Sequence, residues 1–107
     1  CRRQRQMCIR DRGKTLSNEV AKSNITVNNI LTGYFNTERL EQLNSEKAKK
    51  MGVKVEEVFD AMKNQVPAKR IGNPKEFGYL ATFLSSDYAS YINGINIAID
   101  GGLIKSL

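Results

Sequence analysis

The chain has 107 residues, 40% of them hydrophobic and 26% charged, with a formal charge of +6 and no histidine. That length has room for one small core, and no stretch approaches the roughly 18 apolar residues that a membrane span needs, so none is expected. The charge is a poor nucleic-acid signal: Arg2, Arg3, Arg5, Arg10 and Arg12 against Asp11 put +4 in the first twelve residues and leave only +2 for the remainder. No aromatic residue accompanies this basic arm to stack on a base, so no nucleic-acid partner is expected.

Residues 1–13 read as a basic leader foreign to the rest of the chain. Both cysteines, Cys1 and Cys8, lie in it, and it carries almost no apolar pattern. A disulfide framework or metal site in the body is therefore not expected, because the ligands would have to come from folded elements that contain neither Cys nor His. A cysteine-free body suits a reducing cytoplasm, and the leader has no apolar core of the kind a secretory signal needs. The chain begins with Cys rather than Met, which points to a truncated reading frame. MCIRDR also resembles adapter-derived translations at the ends of environmental sequencing reads.

The body, residues 14–107, opens on the end of a helix. Leu16 and Val20 lie four apart with Ala21 beside them, and Ser23-Asn24 form a polar stop, but no capping signal marks where this helix starts. Ile25-Thr26-Val27-Asn28-Asn29-Ile30-Leu31 is β-branched and apolar, as for a largely buried strand running into Thr32-Gly33. Asn36 or Thr37 then caps a helix that begins with Glu38 and ends among Lys47, Lys49 and Lys50, charges that suit the helix dipole at both ends. Met51-Gly52 closes it.

From about Lys54, Val55, Val58, Phe59, Met62 and Val66 recur at helical spacing until Pro67 stops the pattern. Asn73-Pro74-Lys75-Glu76 is the clearest helix start in the chain: a cap residue, proline at the first helical position, and a glutamate able to reach back. Phe77, Leu80, Ala81 and Leu84 make its apolar face. A turn through SYING leads to a second buried-type strand, Ile95 to Ile99, ending at Asp100-Gly101-Gly102. A strand, a long helical crossover and a second strand make a right-handed parallel pair. Parallel sheets are covered on both faces and usually contain more strands, so these two strands call for neighbours.

NITVNNILTGYFNTERL followed by PAKRIGNPKEFGYLATFLSSDYASYINGINIAIDGG resembles the C-terminal half of the short-chain dehydrogenase/reductases, 3-oxoacyl-[acyl-carrier-protein] reductase-like members in particular. The resemblance covers residues 14–107 and rests on separated motifs in the right order: the strand into a Gly loop, R-x-G-x-P-x-E from Arg70 to Glu76, Y-x-x-G from Tyr91 to Gly94, and Asp100-Gly101-Gly102. It implies an α/β fold, the C-terminal βαβ portion of a Rossmann-type doubly wound parallel sheet. The implied chemistry is hydride transfer between NAD(P) and a small-molecule carbonyl substrate, 3-oxoacyl or related, in a cytoplasmic homo-oligomer, a tetramer in the family.

In that family a tyrosine acts as general acid, and a lysine four residues later lowers its pKa, since a tyrosine near pKa 10 is a poor acid at neutral pH. Tyr34, Tyr79, Tyr88 and Tyr91 are followed four residues later by Glu38, Phe83, Ile92 and Ile95, so the chain contains no such pair and no catalytic residue is expected in it. Nor is there a G-x-G for the pyrophosphate. By matched position the cofactor-binding residues are Thr32, Gly33, Phe35 and Thr37, with the family's usual Pro-Gly replaced by Thr32-Gly33. Thr37 also reads simply as a helix cap, and both roles are compatible.

Glu38 to Val66 is the expected substrate lid by the resemblance, although taken alone its Val, Phe and Met stripe is more often plain core. Arg70 reads as a structural ion-pair partner rather than an acyl-carrier contact. The turn from Tyr88 to Gly94 and the last strand resemble a subunit interface. The leading expectation is thus a reductase fragment inactive alone, and the alternative is a non-catalytic oligomerisation or interaction module of the same type.

Overall fold

The computed structural model describes residues 2–105, with side chains from residue 11 onward. Its elements are α1 (Arg2–Val20), β1 (Asn29–Thr32), α2 (Glu38–Met51), α3 (Val55–Gln65), α4 (Pro74–Leu84) and β2 (Asn96–Ile99), with single 3-10 turns at Ala21–Ser23 and Asp87–Ala89. Among the described residues no helix is long and apolar enough to cross a membrane. Contacts divide the chain into two units: one holds the residues up to Leu31 together with Gly78–Ile97, the other Thr32–Phe77 with the stretch from Ala98.

In the first unit α1 runs without a break through residues 2–13 into the body, so the expected boundary after residue 13 falls inside a helix. The helix ends where expected, because Asn24 adopts a left-handed conformation (φ 63°) and returns its N–H to Ala21 O. The expected apolar face is corrected: Leu16 and Ala21 are exposed, and the inward residue is Ser17. Ser17 is tolerated there because its hydroxyl donates to Lys14 O (2.7 Å) and its carbonyl accepts from Asn93 Nδ2 (3.2 Å). A buried hydroxyl is costly only when it lacks such partners.

The same asparagine explains why β1 begins four residues later than the apolar run. Asn93 Oδ1 accepts from the Val27 N–H (3.0 Å), Asn28 Nδ2 donates to Ile92 O (3.1 Å), and Asn28 Oδ1 accepts from the Ile95 N–H (3.1 Å). Side-chain amides occupy backbone groups that a ladder would have used. The backbone meets across this approach through Gly94 N–H to Val27 O, and the regular strand begins at Asn29, whose N–H donates to Ile95 O, both at 2.9 Å.

The ladder continues into the second unit with Gly33 N–H to Ile99 O (3.1 Å). A four-residue advance on one strand matches a four-residue advance on the other, so β1 and β2 run parallel. They form a two-stranded sheet among the described residues, and both are half-buried rather than buried as expected. A pair of strands gains full burial only from flanking strands and covering helices.

The second unit carries the α2–α3 hairpin. The Thr37 hydroxyl accepts from the Leu40 N–H, Glu38 and Glu41 lie in the first turn of α2 and Lys49 and Lys50 in its last, and Gly52 ends it in a left-handed conformation. Ala48, Val58 and Val66 are buried, and so is Asn44, whose amide donates to Met62 Sδ (3.1 Å). Phe59 and Met62 of the expected stripe are half-buried. The start of α4 is a closed capping box: Lys75 N–H donates to Asn73 Oδ1 and Asn73 N–H to Glu76 Oε1, both at 3.0 Å. Asn73→Ala is expected to destabilise the chain by about 1 kcal/mol and Asn73→Ser to be nearly neutral. Urea unfolding midpoints compared across the two variants check this.

Candidate functional site

The second unit contains a cavity of about 410 Å³ lined by Thr32 at the end of β1, by Gly33, Tyr34, Phe35 and Thr37 of the loop that follows, by Leu40 and Leu43 of α2, and by Pro74 and Phe77 of α4. All four residues expected to bind cofactor therefore line one space. A smaller cavity of about 50 Å³ lies against Phe35, Arg70, Gly72, Glu76 and Asp100, with room for no more than a few waters.

Gly33 is needed for a reason the sequence does not reveal. A Cβ built on it would stand 2.6 Å from Asp100 Cβ and 2.7 Å from Asp100 Cα, so the close approach it permits is to the end of β2. Asp100 is itself rigidly held, with Oδ1 accepting from Gly102 N–H (2.9 Å) and Oδ2 from Ile104 N–H (2.8 Å). The Asp-Gly-Gly motif thus makes a turn whose carboxylate satisfies its own backbone, and the Cα and Cβ of that aspartate are the surface Gly33 packs on.

Phe35 is placed by an isolated parallel bridge to Gly72. Gly72 N–H donates to Tyr34 O and Asn36 N–H to Gly72 O, both at 2.9 Å. Backbone groups alternate sides along an extended segment, so bonds from the residues on either side of Phe35 turn its own N–H and C=O to the opposite edge. The C=O accepts from Thr37 N–H (2.9 Å), and the Phe35 N–H has no partner among the described hydrogen bonds. An unpartnered donor on a cavity-lining loop, beside a hydroxyl and a helix start, is a donor set that fits an amide oxygen and phosphate oxygens. Tyr34, on the same lining, turns its hydroxyl away to donate to Gln65 Oε1 at 3.3 Å.

Arg70 forms the expected structural pair. Its two terminal nitrogens meet the two oxygens of Glu76 at 2.7 and 2.8 Å. The bidentate bond from Arg70, helped by Asn73 N–H, lowers the Glu76 carboxyl from 4.5 to about 2, and Glu76 in turn raises Arg70.

A parallel pair of strands joined by a helical crossover, with a donor-bearing loop where the first strand ends, is the βαβ portion of a Rossmann-type α/β domain. The sequence profile of the family described as enoyl-(acyl carrier protein) reductase matches residues 8–104. The chain is 37% identical over 94 residues to the NADPH-dependent reductase BacG of Bacillus subtilis, covering 88% of this chain and 36% of that protein. It is 32% identical over 90 residues to the 3-oxoacyl-[acyl-carrier-protein] reductase MabA of Mycobacterium bovis, covering 84% and 32%. Among solved structures, L-sorbose reductase from Gluconobacter frateurii complexed with NADPH and L-sorbose superposes with a TM-score of 0.87 at 31% identity, over 94% of this chain and 39% of that one. A short-chain dehydrogenase family protein from Francisella tularensis gives 0.87 at 30%, over 92% and 41%. The chain belongs to the short-chain dehydrogenase/reductase family, and it spans about a third of the length of the curated relatives it matches.

Because the folded pKa of Glu76 lies below its ordinary value, the pair stabilises the fold fully above about pH 4.5 and loses that contribution as pH falls through about 2. Glu76→Gln is expected to be less stable than the wild type at pH 7, with the gap closing between about pH 4.5 and 2. Parallel acid titrations of the two proteins, followed by circular dichroism, measure that gap.

Proposed function

We propose that this chain is the C-terminal part of an NAD(P)-dependent oxidoreductase that reduces a carbonyl, of the 3-oxoacyl or a related class, by hydride transfer. The observation that carries the reading is the loop after β1. Thr32, Gly33, Phe35 and Thr37 line one cavity, and the bridge to Gly72 leaves the Phe35 N–H free to donate. In this reading Phe35 N–H binds the nicotinamide carboxamide, and the Thr37 hydroxyl and the start of α2 receive the carboxamide or a phosphate. Gly33 brings the loop close against Asp100. A bound dinucleotide supplies the hydride; the acid that protonates the carbonyl oxygen, a tyrosine with its lysine, belongs to residues upstream of position 14. The parent is then cytoplasmic.

A second reading, a non-catalytic oligomerisation module, draws on a different observation. Tyr79, Phe83, Tyr88 and Tyr91 are exposed, and Tyr91 is wholly so. Exposed aromatics grouped along the end of α4 and the turn after it are what a subunit interface buries. The two readings are compatible if the parent is a homo-oligomer that pairs through this face.

The purified 107-residue chain is expected neither to bind NADPH saturably nor to oxidise it in the presence of a ketone, as followed by nicotinamide fluorescence and absorbance. Sequencing the source DNA upstream of codon 14 is expected to show an in-frame Tyr-x-x-x-Lys and a glycine-rich turn. Saturable cofactor binding by the chain alone, or an upstream frame without those motifs, overturns the reading.

A further inference from the structure

Phe35 is placed by a backbone bridge to Gly72 and by a ring contact with Phe77. The bridge to Gly72 has no further rungs. Arg70 stands two residues before Gly72 and Asn73 directly after it, and both are held by the single carboxylate of Glu76. The peptide that bonds to Tyr34 O and Asn36 N–H is therefore bracketed on both sides and anchored to the first turn of α4. The same helix fixes the ring, since Phe35 packs edge-on against Phe77 with centroids 6.0 Å apart and planes at 87°. The fit at Gly72 is tight: a Cβ there would lie 2.8 Å from Phe35 Cε1 and 3.0 Å from Cδ1.

Helix capping alone does not account for this arrangement. Asn73 and Glu76 close the capping box without Arg70, and an ion pair as exposed as this one ordinarily contributes little to stability. What the guanidinium adds is geometry. A planar fork on both carboxylate oxygens leaves Glu76 one orientation, in which Oε1 also receives the N–H of the residue after Gly72.

We propose that Arg70, Gly72 and Glu76 act as a positioning clamp for the nicotinamide end of the cofactor, touching none of it and setting the direction of the Phe35 N–H that receives the carboxamide. The clamp rests on the proposed reading of the loop as the nicotinamide site. It makes a demand that a merely structural role does not. Disturbing it weakens binding of the complete dinucleotide and leaves nearly unchanged the binding of its ADP-ribose part, which lacks the carboxamide that the Phe35 N–H receives.

The test uses the parent protein recovered by extending the reading frame upstream, with Gly72→Ala and Arg70→Gln. Dissociation constants are measured by calorimetry for NADPH and for 2′-phospho-ADP-ribose, or for NADH and ADP-ribose if the parent prefers NADH. Loss of one oriented hydrogen bond predicts about a tenfold weaker dinucleotide for Gly72→Ala, about threefold for Arg70→Gln, and less than about twofold change for the fragment in both. Intact fragment binding also shows that each variant is folded, and Arg70→Gln decides the question if Gly72→Ala does not fold. Equal weakening of dinucleotide and fragment assigns the segment a general structural role and overturns the clamp, as does no change in either. A wild-type parent that binds neither molecule instead overturns the nicotinamide reading on which the clamp stands.

Discussion

Parallel pairing of β1 with β2 is the constraint that dictates the path of the chain. Parallel strands cannot be closed by a tight turn, so the chain must leave the end of β1, cross over, and re-enter at the start of β2. Everything between them is that crossover: the loop from Gly33 to Thr37, the α2–α3 hairpin, the Arg70–Gly72 segment and α4. The loop lies where the first strand has just run out of ladder, and there the Phe35 N–H has no partner among the described hydrogen bonds. Open α/β sheets bind ligands beyond the carboxyl ends of their strands for this reason.

Two glycines set how close the backbone segments of the second unit come. A Cβ on Gly33 would lie 2.6 to 2.7 Å from Asp100 Cβ and Cα, and one on Gly72 would lie 2.8 Å from the Phe35 ring and displace it. Between these contacts the loop has little freedom. Each is backed by a carboxylate that accepts from the backbone, Asp100 from the Gly102 and Ile104 N–H groups and Glu76 from Asn73. These two carboxylates thus act on the polypeptide itself, and the Phe35 N–H of the loop has no partner among the described hydrogen bonds.

The first unit follows a different economy of polar groups. Asn28, Asn29 and Asn93 stitch the approach to β1 to the turn before β2 with side-chain amides, and Asn29 Nδ2 reaches Asn96 Oδ1 at 2.9 Å. Hydrogen-bonded amides of this kind specify register where the strands are short and only half-buried. The same unit leaves aromatic side chains exposed on α4 and beyond, while Ser17 and Ala89 are buried.

The sequence by itself determined the elements whose signals are local. The limits of α2 and α4 were legible in Thr37, Gly52 and Asn73-Pro74-Lys75-Glu76, because a cap acts within four residues of the group it satisfies. The crossover order was legible from the succession of those local signals, and the loop residues Thr32, Gly33, Phe35 and Thr37 through the family resemblance. Only the tertiary structure decided where β1 starts, why Ser17 rather than Leu16 turns inward, why position 33 must be glycine, and which side of the loop the Phe35 N–H faces. Those answers come from Asn93, Asp100 and Gly72, residues distant in sequence, and neither spacing nor propensity encodes a contact of that range.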